Sequence, residues 1–221
     1  MPTQPSDLTV AVQDYLKAIY VLESSGERVT TSALARRMGV SAPSATAMTK
    51  RLDELGLVER VPHRGVALTE PGRLGALEVL RHHRLLERYL VDRLGLALDQ
   101  VHAEAELLEH ALSEELEAKI DEELGFPTHD PHGDPIPDRE LRLVDDEPRT
   151  LLDLEPGARS AIARVPDGDS ELLRYLGELG LVPDASVEMV AHAPFGGPVT
   201  VRTSSGDHAI SRELADRIAA A

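Results

Sequence analysis

One stretch of the sequence, VHAEAELLEH at residues 101–110, repeats imidazole and carboxylate side chains at helical spacing. His102, Glu106, Glu109 and His110 stand at positions i, i+4, i+7 and i+8. If the stretch forms a regular α-helix, these four side chains share one face. Such a stripe is either a solvated polar surface or part of a metal site.

A second stretch, RHHRLLERYL at residues 81–90, places His83 and Glu87 one helical turn apart. Imidazole nitrogen combined with carboxylate oxygen suits Mn²⁺, Fe²⁺, Co²⁺, Zn²⁺ and Ni²⁺. Two such stretches on consecutive predicted helices favour a metal site. Neither contains the HExxH pattern of zinc proteases, so we expect no enzymatic activity. A metallohydrolase, which needs an open coordination position and a general base, is the alternative.

The amino-acid composition limits which classes of protein the chain can belong to. Hydrophobic residues make up 42% of the 221 residues, enough for a buried core, and the lack of cysteine excludes disulfides and thiolate metal sites. Without an apolar run of about 18 residues or a recognisable signal peptide, we expect a cytoplasmic protein that contacts no membrane. The net charge of −16 argues against nucleic-acid binding, but residues 1–73 hold nine basic and eight acidic groups. That segment can still present a basic face.

Three segments are predicted along the chain. Residues 1–73 alternate short helices and turns and end in a strand pair. Residues 74–145 contain two long helices within 74–124, followed by a linker rich in Pro, Asp and Gly. Residues 151–221 show period-2 strands around a short helix. The predicted fold class is therefore mainly α with a small β domain.

The N-terminal segment has the pattern of a winged helix-turn-helix. Gly39 fits the left-handed end of one short helix, and Ser41 fits the N-cap of the next. LVERV and GVALT then predict a hairpin with PHR at its tip. The helix before them packs Val12 and Leu16 inward, which turns Asp14 away from the core.

This pattern predicts double-stranded DNA as a partner. The outward side chains of the second short helix are small, and they suit hydrogen bonds to base edges and contacts with thymine methyl groups. Nearby basic side chains suit phosphates, which add affinity without sequence information. A helical hairpin with an ordinary polar surface is the alternative. The candidate DNA contacts are Thr31, Ser32, Arg36, Ser41, Pro43, Ser44, Thr46, Thr49, Lys50, Arg51, Arg60 and Arg64.

Taken together, DYLKAIYVLE, the helix-turn-helix, RHHRLLERYL, VHAEAELLEH and PHGDPIP resemble the metal-dependent repressors related to the diphtheria toxin repressor, including its manganese-responsive branch. The resemblance covers nearly the whole chain. It implies a winged helix-turn-helix domain, a helical dimerisation and metal-binding domain, and a C-terminal SH3-like (FeoA-like) β barrel. It also implies two divalent ions per subunit and a homodimer that reads a palindromic operator.

The resemblance implies two metal sites by position. The primary site falls on Asp14, Glu106, Glu109 and His110. The ancillary site falls on His83, Glu87, His102 and Asp167, with Asp169 as the alternative to Asp167.

Two departures from the family pattern bear on the metal. The iron-sensing members have Met and Cys where this chain has Asp14 and Glu106, whose hard oxygens fit Mn²⁺ better. Fe²⁺, Co²⁺ and Zn²⁺ are the alternatives. Short manganese regulators use a Glu three residues after the Asp for a paired-metal site, and Lys17 stands there instead. We therefore expect no paired site. A repressor that senses a small organic molecule is a further alternative, and we expect no such ligand.

We expect metal binding to activate DNA binding by an electrostatic mechanism. Without a metal ion the three carboxylates of the primary site should repel one another, and with it the first helix becomes tied to the dimerisation domain. Metal and operator then raise each other's affinity. The other histidines, including His82 and His132, are predicted to lie on the surface or in the linker, with HDPH in a turn.

Overall fold

The computed structural model describes residues 8–61, 65–143 and 149–221. These residues divide into two compact units. The first unit contains the described part of residues 1–83 together with Glu109–Ser113 and Pro137–Arg142. The second contains Arg84–Leu108, Glu114–Ile136 and the described part of residues 143–221.

Helices dominate the first half of the chain and strands the second, as predicted. The α-helices are α1 (Val10–Ser24), α2 (Thr31–Arg37), α3 (Ala42–Glu54), α4 (Glu70–Leu94), α5 (Val101–Leu108), α6 (Glu114–Glu123), α7 (Ser170–Glu178) and α8 (Arg212–Asp216). The β-strands are β1 (Val58–Val61), β2 (Gly65–Leu68), β3 (Arg149–Thr150), β4 (Arg159–Arg164), β5 (Ser186–His192), β6 (Val199–Thr203), β7 (Gly206–Ile210) and β8 (Ala219–Ala220). Within the described ranges, none of the helices is long and apolar enough to cross a membrane.

The first unit begins with the predicted winged helix-turn-helix. The Thr30 hydroxyl caps α2 by accepting from the Ala33 N–H, and the Ser41 hydroxyl caps α3 by accepting from the Ser44 N–H. Gly39 between them has φ +63°, a conformation that favours glycine. The core of this unit contains the buried side chains Leu16, Ile19, Leu34 and Leu52.

The wing is a two-stranded antiparallel hairpin. Val58 pairs with Leu68 and Val61 with Gly65. The predicted hairpin tip, PHR at residues 62–64, lies outside the described residues, and the candidate DNA contact Arg64 lies there with it.

The second predicted long helix is broken, which is a correction to the sequence-based expectation. Helix α5 ends at Leu108, a 3₁₀ turn covers Glu109–Ala111, and α6 starts at Glu114. Ser113 directly before α6 is a residue type that favours the start of a helix over its interior. The break matters because Glu109–Ser113 belongs to the first compact unit, whereas α5 and α6 belong to the second.

The C-terminal part of the second unit is an antiparallel sheet with strand order β3-β8-β4-β5-β6-β7. Its core includes the buried side chains Leu151, Ile162, Leu176 and Met189. Helix α7 covers part of that core, and the Asp169 carboxylate caps it by accepting from the N–H groups of residues 171 and 172.

The loop that carries PHGDPIP packs tightly against β4. The Val165 N–H donates to the His132 carbonyl. A Cβ atom at Gly133, whose φ is +94°, would lie 2.0 Å from the Ala163 carbonyl oxygen, so only glycine fits. The close approach fixes the backbone on both sides of His132.

Candidate metal centre and DNA interface

The first unit brings together three of the four residues implied for the primary metal site. One ligand atom from each of Asp14, Glu109 and His110 lies within 4.8 Å of the others. His110 Nε2 is 2.8 Å from Asp14 Oδ1 and 3.4 Å from Glu109 Oε1. Helix α1 supplies Asp14, and the 3₁₀ turn supplies the other two. These three side chains could hold a divalent cation.

His110 is oriented by a residue that the sequence analysis did not identify. Its Nδ1 lies 2.8 Å from Gln13 Oε1, so we assign the ring proton to Nδ1, which donates to that amide oxygen. The Nε2 atom then faces Asp14 with its lone pair, as a metal ligand requires. Contacts of this kind, to the nitrogen that does not bind metal, are known to fix histidine ligands.

Glu109 is buried, with 1% of its surface exposed, and both of its oxygens are engaged. Lys17 Nζ is 2.6 Å from Oε1, and His83 Nδ1 makes a short hydrogen bond to Oε2. Burial by itself raises the pKa of Glu109, but the hydrogen bond to His83 and the charge of Lys17 outweigh it and lower that pKa. The expected repulsion among carboxylates is therefore offset by an internal cation.

Asp14 has a different electrostatic environment. It is one-third exposed, and burial raises its pKa, against the lowering influence of His110 and Lys17. The two carboxylates of the cluster therefore differ in proton affinity, and Glu109 carries the more firmly held negative charge.

His82 also serves this cluster, so the prediction that it lies on the surface is wrong. It is 8% exposed, and its Nδ1 lies 3.1 Å from the Glu109 carbonyl oxygen. Two adjacent histidines of α4, His82 and His83, thus hold the backbone and the side chain of Glu109.

The prediction that His102, Glu106, Glu109 and His110 share one helical face is wrong, because α5 ends before Glu109. Glu106 lies on α5 with His102, and the distance from His102 Nε2 to Glu106 Oε1 is 3.7 Å. His102 Nδ1 is 3.2 Å from Glu87 Oε1. Within the second unit, His102 therefore lies between the carboxylates of α4 and α5.

The second unit contains a buried cluster that the sequence analysis missed. Ligand atoms of Glu87, Asp130 and His132 lie within 4.8 Å of one another, and none of the three is more than 3% exposed. His132 Nδ1 is 3.6 Å from Glu87 Oε2. HDPH lies in a turn, as predicted, but its second histidine and the preceding Asp130 are buried and do not lie on the surface.

The charges of this cluster are partly balanced. Burial lowers the pKa of His132, but its contact with Glu87 and the charges of Asp130 and Asp167 raise it to about 9. Burial and the neighbouring carboxylates raise the pKa of Asp130 to about 7, against the charge of Arg84. Arg84 Nε is 3.7 Å from Asp130 Oδ2. A protonated imidazole and a guanidinium therefore face the buried acids.

The two candidates for the last ancillary ligand, Asp167 and Asp169, lie in the loop before α7 and differ in their contacts. Asp169 is engaged as the N-cap of α7. Asp167 Oδ2 is 4.0 Å from His102 Nδ1. Of the two, Asp167 is thus the one that lies beside the ancillary residues.

The candidate DNA surface is formed by α2, α3 and the wing. Thr49 does not belong to it: the side chain is 8% exposed, and its hydroxyl donates to the Ala45 carbonyl at 2.8 Å. The predicted outward orientation of Thr49 is therefore wrong, because position 49 faces the core side of α3. Thr31 is half-buried. The other described candidates are exposed, namely Ser32, Arg36, Ser41, Pro43, Ser44, Thr46, Lys50, Arg51 and Arg60.

Three family models match successive parts of the chain. Residues 7–66 match the N-terminal DNA-binding domain of the iron-dependent repressors, and residues 69–138 match their metal-binding and dimerisation domain. Residues 149–220 match the FeoA domain. Among curated relatives, the iron-dependent repressor IdeR of Mycobacterium tuberculosis (strain ATCC 25618 / H37Rv) is 39% identical over 105 residues, 48% of this chain and 46% of that protein. The chain thus spans about half the length of the curated relatives it matches.

Solved structures extend the similarity to almost the whole chain. A manganese-dependent transcriptional repressor in complex with manganese is 40% identical, with a TM-score of 0.85 over 95% of this chain and 98% of that one. ScaR with bound Zn²⁺ is 30% identical, with a TM-score of 0.82 over 95% and 98%. With the three successive domain models, this similarity shows that the chain belongs to the diphtheria toxin repressor family of metal-dependent transcriptional repressors.

Proposed function

We propose that the chain is a manganese-dependent transcriptional repressor in which a divalent ion acts as co-repressor. The observation that carries the proposal is the cluster of Asp14, Glu109 and His110, because it joins the DNA-binding segment to a turn almost a hundred residues later. We add Glu106 as the fourth ligand on the basis of the family pattern. An enzymatic role has no comparable support.

The residues of the cluster fit a divalent cation. Two carboxylates and an imidazole Nε2 form a donor set that suits Mn²⁺, Fe²⁺, Co²⁺ and Zn²⁺. A bound ion would supply two positive charges between the carboxylates of α1 and of the 3₁₀ turn. Gln13 holds the ring of His110, and His82 and His83 hold Glu109, so the ligands from the turn are ordered in advance.

Helix α1 connects metal binding at this cluster to the position of the DNA-binding helices. Asp14 lies on the same helix as Leu16 and Ile19, which pack in the core beneath α2 and α3. Fixing Asp14 against the turn therefore fixes the body that carries the recognition helix α3. Because the same conformation serves the metal and the operator, the two ligands favour each other.

We propose a second metal ion in the second unit. Its ligands would come from Glu87, Asp130 and His132, with His102 and Asp167 nearby and His83 one turn before Glu87 on α4. The proposal keeps the ancillary residues predicted from the sequence and adds Asp130 and His132. Their burial and closeness to Glu87 support the addition.

Manganese is favoured over iron by the hard oxygen donors at Asp14 and Glu106, where iron-sensing members have sulfur ligands. The 40% identical solved relative is named as manganese-dependent, which agrees with this choice. An iron-dependent repressor is the second candidate, because the 39% identical mycobacterial relative is named as iron-dependent. Iron exceeds manganese in intrinsic affinity at most sites with nitrogen and oxygen donors. Selectivity must therefore come from geometry and charge.

We further propose a homodimer that reads a palindromic operator, as a two-fold protein does. Exposed leucines on α5 and α6 support an interface there: Leu107 is 75%, Leu108 44% and Leu116 51% exposed. Large apolar side chains left exposed, where they form a patch, often mark contact surfaces.

The test is a titration of metal-stripped protein against duplex DNA selected from a random pool in the presence of Mn²⁺. We expect tight binding with Mn²⁺, weaker binding with anaerobic Fe²⁺, and little binding with excess chelator. Equal affinity with and without chelator would refute a metal co-repressor. A lower activating concentration for Fe²⁺ than for Mn²⁺ would favour the iron alternative.

Replacing Thr46 by Ala is expected to change which operator sequences are preferred, by about tenfold at one base pair, because its exposed side chain suits a base contact. Arg60→Ala should weaken binding to all sequences and reduce the salt dependence, as loss of a phosphate contact does. Thr49→Ala is the matched control, because that hydroxyl is buried. Binding-site selection with each variant measures both effects, and an altered preference for Thr49→Ala alone would contradict the assignment.

A further inference from the structure

Lys17 lies inside the primary cluster. Its Nζ is 2.6 Å from Glu109 Oε1, and its side chain is 15% exposed. We propose that Lys17 is a resident counter-cation that competes with the divalent ion for Glu109 and thereby lowers the metal affinity of the primary site. The inference rests on the proposed function, since it assigns a role toward the same metal.

The position of Lys17 makes the competition direct. Asp14 and Lys17 are three residues apart on α1, so one side of this helix presents both a metal ligand and a positive charge. The same Glu109 oxygen that contacts the ammonium is 3.4 Å from His110 Nε2. A cation bound between Glu109 and His110 would therefore have to share this oxygen with Lys17.

The charge balance gives the direction of the effect. With Lys17, the three carboxylates proposed for the site, Asp14, Glu106 and Glu109, present two net negative charges to a divalent ion. Without Lys17 they present three, so the attraction for the ion is stronger. Charges a few ångströms apart in a partly buried site interact strongly, so the ammonium must weaken divalent binding.

A reason for keeping such a competitor follows from burial. Glu109 is 1% exposed, and a buried carboxylate that loses its counter-charge is costly. Lys17 neutralises Glu109 when the ion dissociates, so the cluster stays folded at low metal. The chain would then respond only above a raised metal threshold, which suits a sensor better than maximal affinity.

The test measures Mn²⁺ binding to the full-length chain by electron paramagnetic resonance of unbound Mn²⁺. Lys17→Met is expected to bind the primary-site Mn²⁺ at least about tenfold more tightly than the wild type. With chelator present, the same variant should show a lower unfolding temperature, because Glu109 loses its counter-charge. Lys17→Arg keeps the charge and should stay near the wild-type affinity. If Lys17→Met does not fold, Lys17→Gln, whose amide can still donate to Glu109, should show the same tightening.

Lys119→Met is the matched control, because it makes the same charge change at an exposed lysine paired with Glu122. Its Mn²⁺ affinity should equal that of the wild type. Unchanged or weaker Mn²⁺ binding by Lys17→Met would overturn the competitor role, as would equal tightening in Lys119→Met. If the wild type itself binds no Mn²⁺, the proposed function fails, and this inference fails with it. If the wild type binds Mn²⁺ but Lys17→Met does not bind it more tightly, only this inference fails.

Discussion

His110→Ala is expected to lower Mn²⁺-activated operator binding on the order of a hundredfold or more. His110 supplies the imidazole of the primary cluster, and its Nε2 is 2.8 Å from Asp14. Loss of a ligand costs more than loss of a residue that merely supports a ligand, for which 10–100-fold is typical. Fluorescence anisotropy of labelled operator DNA across a range of Mn²⁺ concentrations measures the effect.

His83→Ala provides the comparison. Because His83 holds Glu109 Oε2 while Lys17 holds the other oxygen, we expect a smaller loss of about 10–100-fold in metal response. His129→Ala, at an exposed histidine, should leave the response unchanged. An equal loss for His110→Ala and His83→Ala, or a greater loss for His83→Ala, would contradict the stronger role assigned to His110.

His132→Phe is expected to destabilise the metal-stripped protein by about 3 kcal/mol. The substitution keeps a ring in place but removes the charge that faces Glu87 and Asp130, which are 0% and 3% exposed. Breaking a buried ion pair by removing one partner leaves the other charge without compensation. Urea denaturation with excess chelator measures the loss. Metal titration should also show one Mn²⁺ fewer per subunit, because the second site loses a ligand.

The pH dependence of this loss provides an internal check. The pKa of His132 is raised from its ordinary 6.5 to about 9 in the folded protein. A raised histidine pKa contributes stability that is present below the ordinary value and is lost as the pH rises through the folded value. The difference between wild type and variant should therefore narrow between pH 6.5 and about 9. His129→Phe, the same change at an exposed neighbour, should cost little, and a similar loss there would contradict the buried pairing.

Local patterns in the sequence were sufficient to predict the DNA-binding segment. A cap at Ser41, a glycine at 39 and apolar positions at helical spacing act over a few residues, so they can be recognised without knowledge of the rest of the chain. Thr49 is the exception. Its polar side chain suggested a surface position, but a threonine hydroxyl can bond to the carbonyl four residues before it and so be buried.

The sequence also determined which residue types could bind metal, and the family resemblance indicated most of their positions. It did not determine how they group. A single helix from residue 101 to 124 would have kept His102, Glu106, Glu109 and His110 on one face. In the tertiary structure α5 ends at Leu108, and Glu109 and His110 therefore belong to the same compact unit as Asp14.

The buried partners were decided by tertiary structure as well. Lys17 and Glu109 are 92 residues apart, and Glu87 and His132 are 45 apart, so no helical or strand periodicity relates them. From the sequence alone, a histidine in a loop rich in Pro and Gly is predicted to be exposed, because the packing of that loop is not known. Here Gly133 allows the loop to approach β4, and this approach buries His132 beside Glu87. The sequence determined which side chains could act as ligands, and long-range packing decided which residues surround them and balance their charges.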